Sequence, residues 1–125
     1  MMLHSKLPIL LLLLPLLAGA QESEERRACS AAEHDAYLSR ISDAIYVRWH
    51  MPRENSVYSC TIVIVQNFRG EILNVGLERC GEDLAVRKSI EDAAYDSSPL
   101  TLPDNPNCLS RTIRVHIAHR PQNAQ

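Results

Sequence analysis

Between residues 30 and 52 the apolar side chains Tyr37, Leu38, Ile41, Ile45 and Trp49 recur at three- and four-residue steps, which puts them on one face of a helix. Ser30-Ala31-Ala32-Glu33 ahead of them has the form of a capping box, in which hydroxyl and carboxylate each satisfy a backbone N–H, and Pro52 ends the pattern. From Tyr58 the period drops to two. Cys60, Ile62 and Ile64 share one face and Thr61, Val63 and Val65 the other, so this strand should be covered on both sides or lie at the centre of its sheet. Gln66-Asn67-Phe68-Arg69-Gly70 reads as a turn whose glycine suits positive φ. The strand after it sets Leu73, Val75 and Leu77 on one face and Asn74, Gly76 and Glu78 on the other, and pairs with the first as a hairpin.

A second helix is predicted from about Asp83 to Ala94, with Val86, Ile90 and Ala93 at helical spacing and Ser97-Ser98-Pro99 as its stop. Pro99, Pro103 and Pro106 then impose an extended irregular loop over 96–107. A last strand, Arg111 to Ala118, turns Ile113, Val115 and Ile117 inward, and Pro121 closes the ordered domain. The order α-β-β-α-β implies an α+β fold: a three-stranded antiparallel sheet with two main helices packed on one face.

The first residues add a destination. A segment carrying Lys6, an apolar stretch from Leu7 to Leu17 and the small residues Ala18-Gly19-Ala20 have the three parts of a secretory signal. The stretch is too short for a membrane-spanning helix, which takes roughly 20 residues, and the polar Gln21-Glu22-Ser23-Glu24-Glu25 follows at once. A lipid anchor would want Cys where Gln21 stands, so no membrane anchor is expected. We therefore expect a signal peptide over 1–20 cleaved after Ala20, a disordered tail over 21–29, one domain over 30–121 and a short tail over 122–125. Cleavage removes one lysine and no acid, leaving a net negative charge that argues against nucleic acid as a partner.

In an exported chain Cys29, Cys60, Cys80 and Cys108 should form two disulfides. No C-x-x-C occurs, so neither a structural zinc site nor a redox pair is indicated. If each element runs back along the one before, Cys29 and Cys108 fall at one end of the domain and Cys60 and Cys80 at the other. Cys29–Cys108 with Cys60–Cys80 is the expected pairing, and the other two connectivities stay open. A four-residue loop from Asn67 to Gly70 would set Cys60 opposite Leu77, so the second bridge requires the chain to bulge or curl back.

The series Tyr37, Ile41, Ile45, Trp49, Pro52, then Cys60-Thr61-Ile62-Val63-Ile64, a turn ending in Gly70, the strand Ile72 to Leu77, Gly81 before a helix, and Ser98-Pro99-Leu100-Thr101-Leu102-Pro103 before a final strand resembles the C-terminal periplasmic domain of TolA, within the TonB/TolA C-terminal superfamily. The likeness runs from about Ala31 to Pro121. It implies a binding module in the Gram-negative periplasm rather than an enzyme, with partners such as TolB and the translocation domains of colicins and filamentous phage, which join the edge of the sheet as an added strand. TolA has an N-terminal membrane helix and a long helical spacer. Here a signal peptide occupies their place, which puts coupling to an inner-membrane motor in doubt.

The last strand is the candidate site. Arg111, Arg114, His116, His119 and Arg120 surround the apolar Ile113, Val115 and Ile117, so the expectation is an open, cationic edge onto which an acidic or neutral peptide adds. The same charges would also discourage edge-to-edge aggregation. His116 and His119 are an odd step apart on a strand and point to opposite faces, while His34 and His50 lie near different ends of the first helix, so no metal is expected. No G-x-S-x-G elbow or glycine-rich phosphate loop is present, and neither catalytic residues nor a cofactor are expected. A different class of function is a secreted inhibitor or effector of cystatin-like architecture. Its hairpin signature, Gln-x-Val-x-Gly, is not matched by Gln66-Asn67-Phe68-Arg69-Gly70.

Overall fold

The computed structural model describes residues 27–122. The expected signal peptide and most of the tail after it lie outside the described residues. Helix α1 (Ala31–Arg48) begins at the capping box: Ser30 Oγ accepts from the Glu33 N–H at 3.1 Å, and the Glu33 carboxylate accepts from the Ser30 N–H at 3.2 Å. Strands β1 (Tyr58–Gln66) and β2 (Ile72–Glu78) follow, then α2 (Leu84–Asp96), a short 3-10 turn (Pro106–Cys108) and β3 (Thr112–His119). Asp83 caps α2 by accepting from the N–H groups of Ala85 and Val86. The sheet is antiparallel in the order β2-β1-β3.

Both helices bury their apolar stripes on one face of this sheet. Tyr37, Ile41 and Ile45 of α1 and Val86, Ile90, Ala93 and Ala94 of α2 meet Cys60, Ile62 and Ile64 of β1 and Ile113, Val115 and Ile117 of β3. Each of these isoleucines contributes on the order of 1.5–3 kcal/mol by leaving water. Trp49 caps the end of α1, and its indole N–H donates to Ser89 Oγ at 2.9 Å, joining the two helices. The opposite face of the sheet carries Thr61, Val63 and Val65, all half-buried, beside the exposed Arg114 and His116.

Both disulfides form as paired by chain direction: Cys29–Cys108 with Cα atoms 5.0 Å apart and Cys60–Cys80 with 4.3 Å. The register of the hairpin differs from the expected one. Ile62, rather than Cys60, faces Leu77, because Gln66 pairs with Ile72 and a bulge between Val65 and Gln66 leaves Leu73 unpaired. Leu73 consequently sits 55% exposed instead of lining the core with Val75 and Leu77. The shift brings Cys60 to within one position of Cys80, and Arg79, at φ 55°, supplies the curl that closes the gap.

Gln66 is no part of the turn. It ends β1 fully buried, its amide donating to the Tyr37 hydroxyl at 2.8 Å and to the Ser110 carbonyl at 2.7 Å. The turn itself runs on Asn67, whose side-chain oxygen accepts from the N–H groups of Arg69 and Glu71, and on Gly70 at φ 83°. A Cβ at Gly70 would overlap the Leu100 carbonyl oxygen, so that backbone approach admits only glycine. The end of the expected tail is also ordered: Asn107 and Asn105 donate to the carbonyls of Arg27 and Ala28, and Cys29 is bonded to Cys108.

Candidate functional site

β3 lies at the edge of the sheet, and the phase of its ladder decides what it can offer. The Gln66 N–H donates to the Arg111 carbonyl at 2.8 Å. Bonded and non-bonded pairs alternate along an antiparallel ladder, so from this anchor the backbone groups of Ile113, Val115 and Ile117 point at β1, opposite Ile64, Ile62 and Cys60. Those of Thr112, Arg114, His116 and Ala118 point away from the sheet. The candidate residues thus divide. Ile113, Val115 and Ile117 are core residues that hold the strand in place, whereas Arg114 and His116 present an N–H and a C=O outward, with no partner among the described residues.

The ends of that outward row are closed. Ser110 Oγ donates to the Thr112 carbonyl at 2.9 Å. At the other end the Tyr46 hydroxyl accepts from the Ala118 N–H at 2.7 Å and lies 3.2 Å from the Ala118 carbonyl, to which it donates. The outer side of β2 is met in a similar way, by Ser98 Oγ accepting from the Ile72 N–H at 3.0 Å and the Tyr95 hydroxyl accepting from the Val75 N–H at 3.2 Å.

The cationic side chains are more engaged than their spacing suggests. Arg114 reaches across β1 to Glu78 at 3.6 Å, and the Arg111 guanidinium sits 5.8 Å over the Phe68 ring. His119 Nε2 lies 2.9 Å from the Glu54 carbonyl, and its ring stands edge-on to Trp49 at 6.0 Å. His116 and Arg120 are exposed. Beyond Ala118 the edge opens into a cleft of about 790 Å³ walled by Tyr46, Trp49, Met51, Glu54, His119 and Arg120.

Charge chemistry is concentrated elsewhere. The Glu33 carboxyl is held below the usual range by the Ser30 backbone N–H and then by the Asn105 amide, and Glu71 by the Asn67 amide and Arg69. For Asp83, partial burial pushes upward, but hydrogen bonds from Arg53 and the first turn of α2 outweigh it and lower the value. Burial raises the Tyr58 phenol, whose hydroxyl donates to the Gly81 carbonyl at 2.8 Å. All four groups serve caps and turns. Among the described residues no three His, Cys, Asp or Glu side chains cluster as metal ligands, and no helix is long and apolar enough to cross a membrane.

The family model for the TonB C terminal matches residues 34–117, from the first turn of α1 to Ile117 in β3. The chain belongs to the TonB C-terminal family. Domains of this family are non-enzymatic protein-interaction modules of the cell envelope, which gives the inhibitor reading no support. No curated protein matches the chain. The periodicity of Ile113, Val115 and Ile117 could show which residues are buried but not where the neighbouring helix would place a hydroxyl. Tyr46, Tyr95, Ser98 and Ser110 close the edges through contacts that the strand period does not announce.

Proposed function

We propose that this chain is an exported, periplasmic TolA-like interaction module that binds a protein partner by taking an extended segment of it onto β3. The observation that carries the reading is the pair of outward N–H and C=O groups at Arg114 and His116, which can hydrogen-bond only to something outside the described domain. The two disulfides suit an oxidising compartment, and the three-part start of the sequence supplies export, with cleavage after Ala20. The TolA side of the family is favoured by Ser98-Pro99-Leu100-Thr101-Leu102-Pro103, and with it Tol components or the translocation domains of bacteriocins and phage as partners.

Crosslinking in periplasmic extract, followed by mass spectrometry, tests this reading. Wild type should recover Tol components, and a His116→Pro variant, which lacks one outward N–H but keeps the ladder to β1, should lose them. Equal recovery by both proteins would count against strand addition, and recovery of a protease or hydrolase would favour an inhibitor.

A further inference from the structure

A hydroxyl that engages both the N–H and the C=O of one edge residue occupies the two positions that a neighbouring strand would use. Tyr46 does this at Ala118, with distances of 2.7 and 3.2 Å. It is held there from behind. Ile45, the preceding residue on α1, is fully buried, and the Tyr46 ring tilts against Trp49 at 6.1 Å, whose indole is itself tied to Ser89. At the other end Ser110 occupies the Thr112 carbonyl. Between these two closures lie both groups of Arg114 and of His116.

We propose that Tyr46 is the stop that ends the strand-accepting edge, and so sets the register and length of the segment it takes: a short extended peptide of about five residues, paired against Ile113 to Ile117 and leaving the sheet at Ala118. The partner is then a linear segment rather than a long strand of a folded sheet, because a longer strand must displace the Tyr46 hydroxyl to continue. The inference rests on the strand-addition reading above and adds a residue that selects among strands.

Amide exchange followed by NMR on the full oxidised chain tests it, with Tyr46→Phe as the variant, since phenylalanine keeps the packing on Trp49 and removes only the hydroxyl. In the unbound variant the Ala118 amide should exchange about tenfold faster than in wild type, as loss of one hydrogen bond implies. The probe is a phage-displayed library of random twelve-residue peptides. Peptides enriched on wild type should slow exchange at Arg114 and His116, and peptides enriched on the variant should protect Ala118 as well. An Ala118 amide indifferent to the substitution, or one register shared by both proteins, overturns the stop. A library that enriches nothing protecting Arg114 and His116 on either protein overturns strand addition itself, while the Ala118 exchange still reports on the Tyr46 bond.

Discussion

The Gln66 side-chain amide donates to the Tyr37 hydroxyl at 2.8 Å, both residues fully buried, and so bolts the end of the central strand to the helix above it. Tyr37→Phe removes the acceptor and leaves a buried N–H unmet, which should cost about 1–3 kcal/mol in urea denaturation. Gln66→Ala should cost more, since it also abandons the Ser110 carbonyl and opens a cavity. Equal stability of wild type and Tyr37→Phe would show the bond to be dispensable.

Gly70→Ala meets two obstacles, the left-handed backbone at φ 83° and the Leu100 carbonyl. The Leu100 N–H donates to the Gly70 carbonyl at 2.7 Å, so the overlap cannot be relieved without losing that bond. A loss of at least about 1–3 kcal/mol in a thermal melt is expected.

The two bridges should differ in weight. Cys29–Cys108 spans 79 residues and Cys60–Cys80 spans 20, and the chain-entropy model gives about 4–5 kcal/mol for the longer closure and about 3 for the shorter. Paired Cys→Ala substitutions compared by denaturant midpoint check the order. A larger loss at the shorter bridge would show that packing of the buried Cys60 outweighs loop entropy.

Acid should act through the caps. Because Glu33, Glu71 and Asp83 have lowered values in the folded chain, their contribution is complete above the ordinary carboxylate range of roughly 4 and disappears as pH falls through the lowered values. Stability measured in urea should hold from neutral pH down to about 4.5 and then decline. Glu33→Gln should flatten part of that decline, and an unchanged profile would assign it to other groups.

Arg114 allows binding to be separated from folding. Its pair with Glu78 is surface-exposed on both sides, at 61% and 49%, and such pairs contribute about 0–1 kcal/mol. Arg114→Glu should therefore leave the domain folded while weakening capture of the partner in a pull-down. Undiminished capture would mean that the backbone alone recognises the segment.

Much of this was readable from period and punctuation. The isoleucine stripes, the Ser30 box and the alternation in β3 mark both helices and three strands, because burial imposes a period on the chain, whereas the expectation of an open edge at β3 came from the family resemblance. Register and closure were not readable in the same way. Whether Leu73 enters the core depends on a single-residue bulge, and one residue of slip reverses the face of every side chain beyond it. Arg79 adopts a conformation that its residue type does not announce. Gln66 looks like a turn residue until Tyr37 and Ser110 surround it, and Tyr46 looks like a surface residue until β3 passes beneath its hydroxyl.

The bond between Cys29 and Cys108 also lays out a mechanical route through the domain. Tension applied on the amino-terminal side of Cys29 crosses the sulfur bridge and enters the chain just before β3 begins at Thr112, leaving α1 unloaded. The strand that would hold a partner and the point where a pull arrives are then mechanically in series, joined by a few residues of backbone.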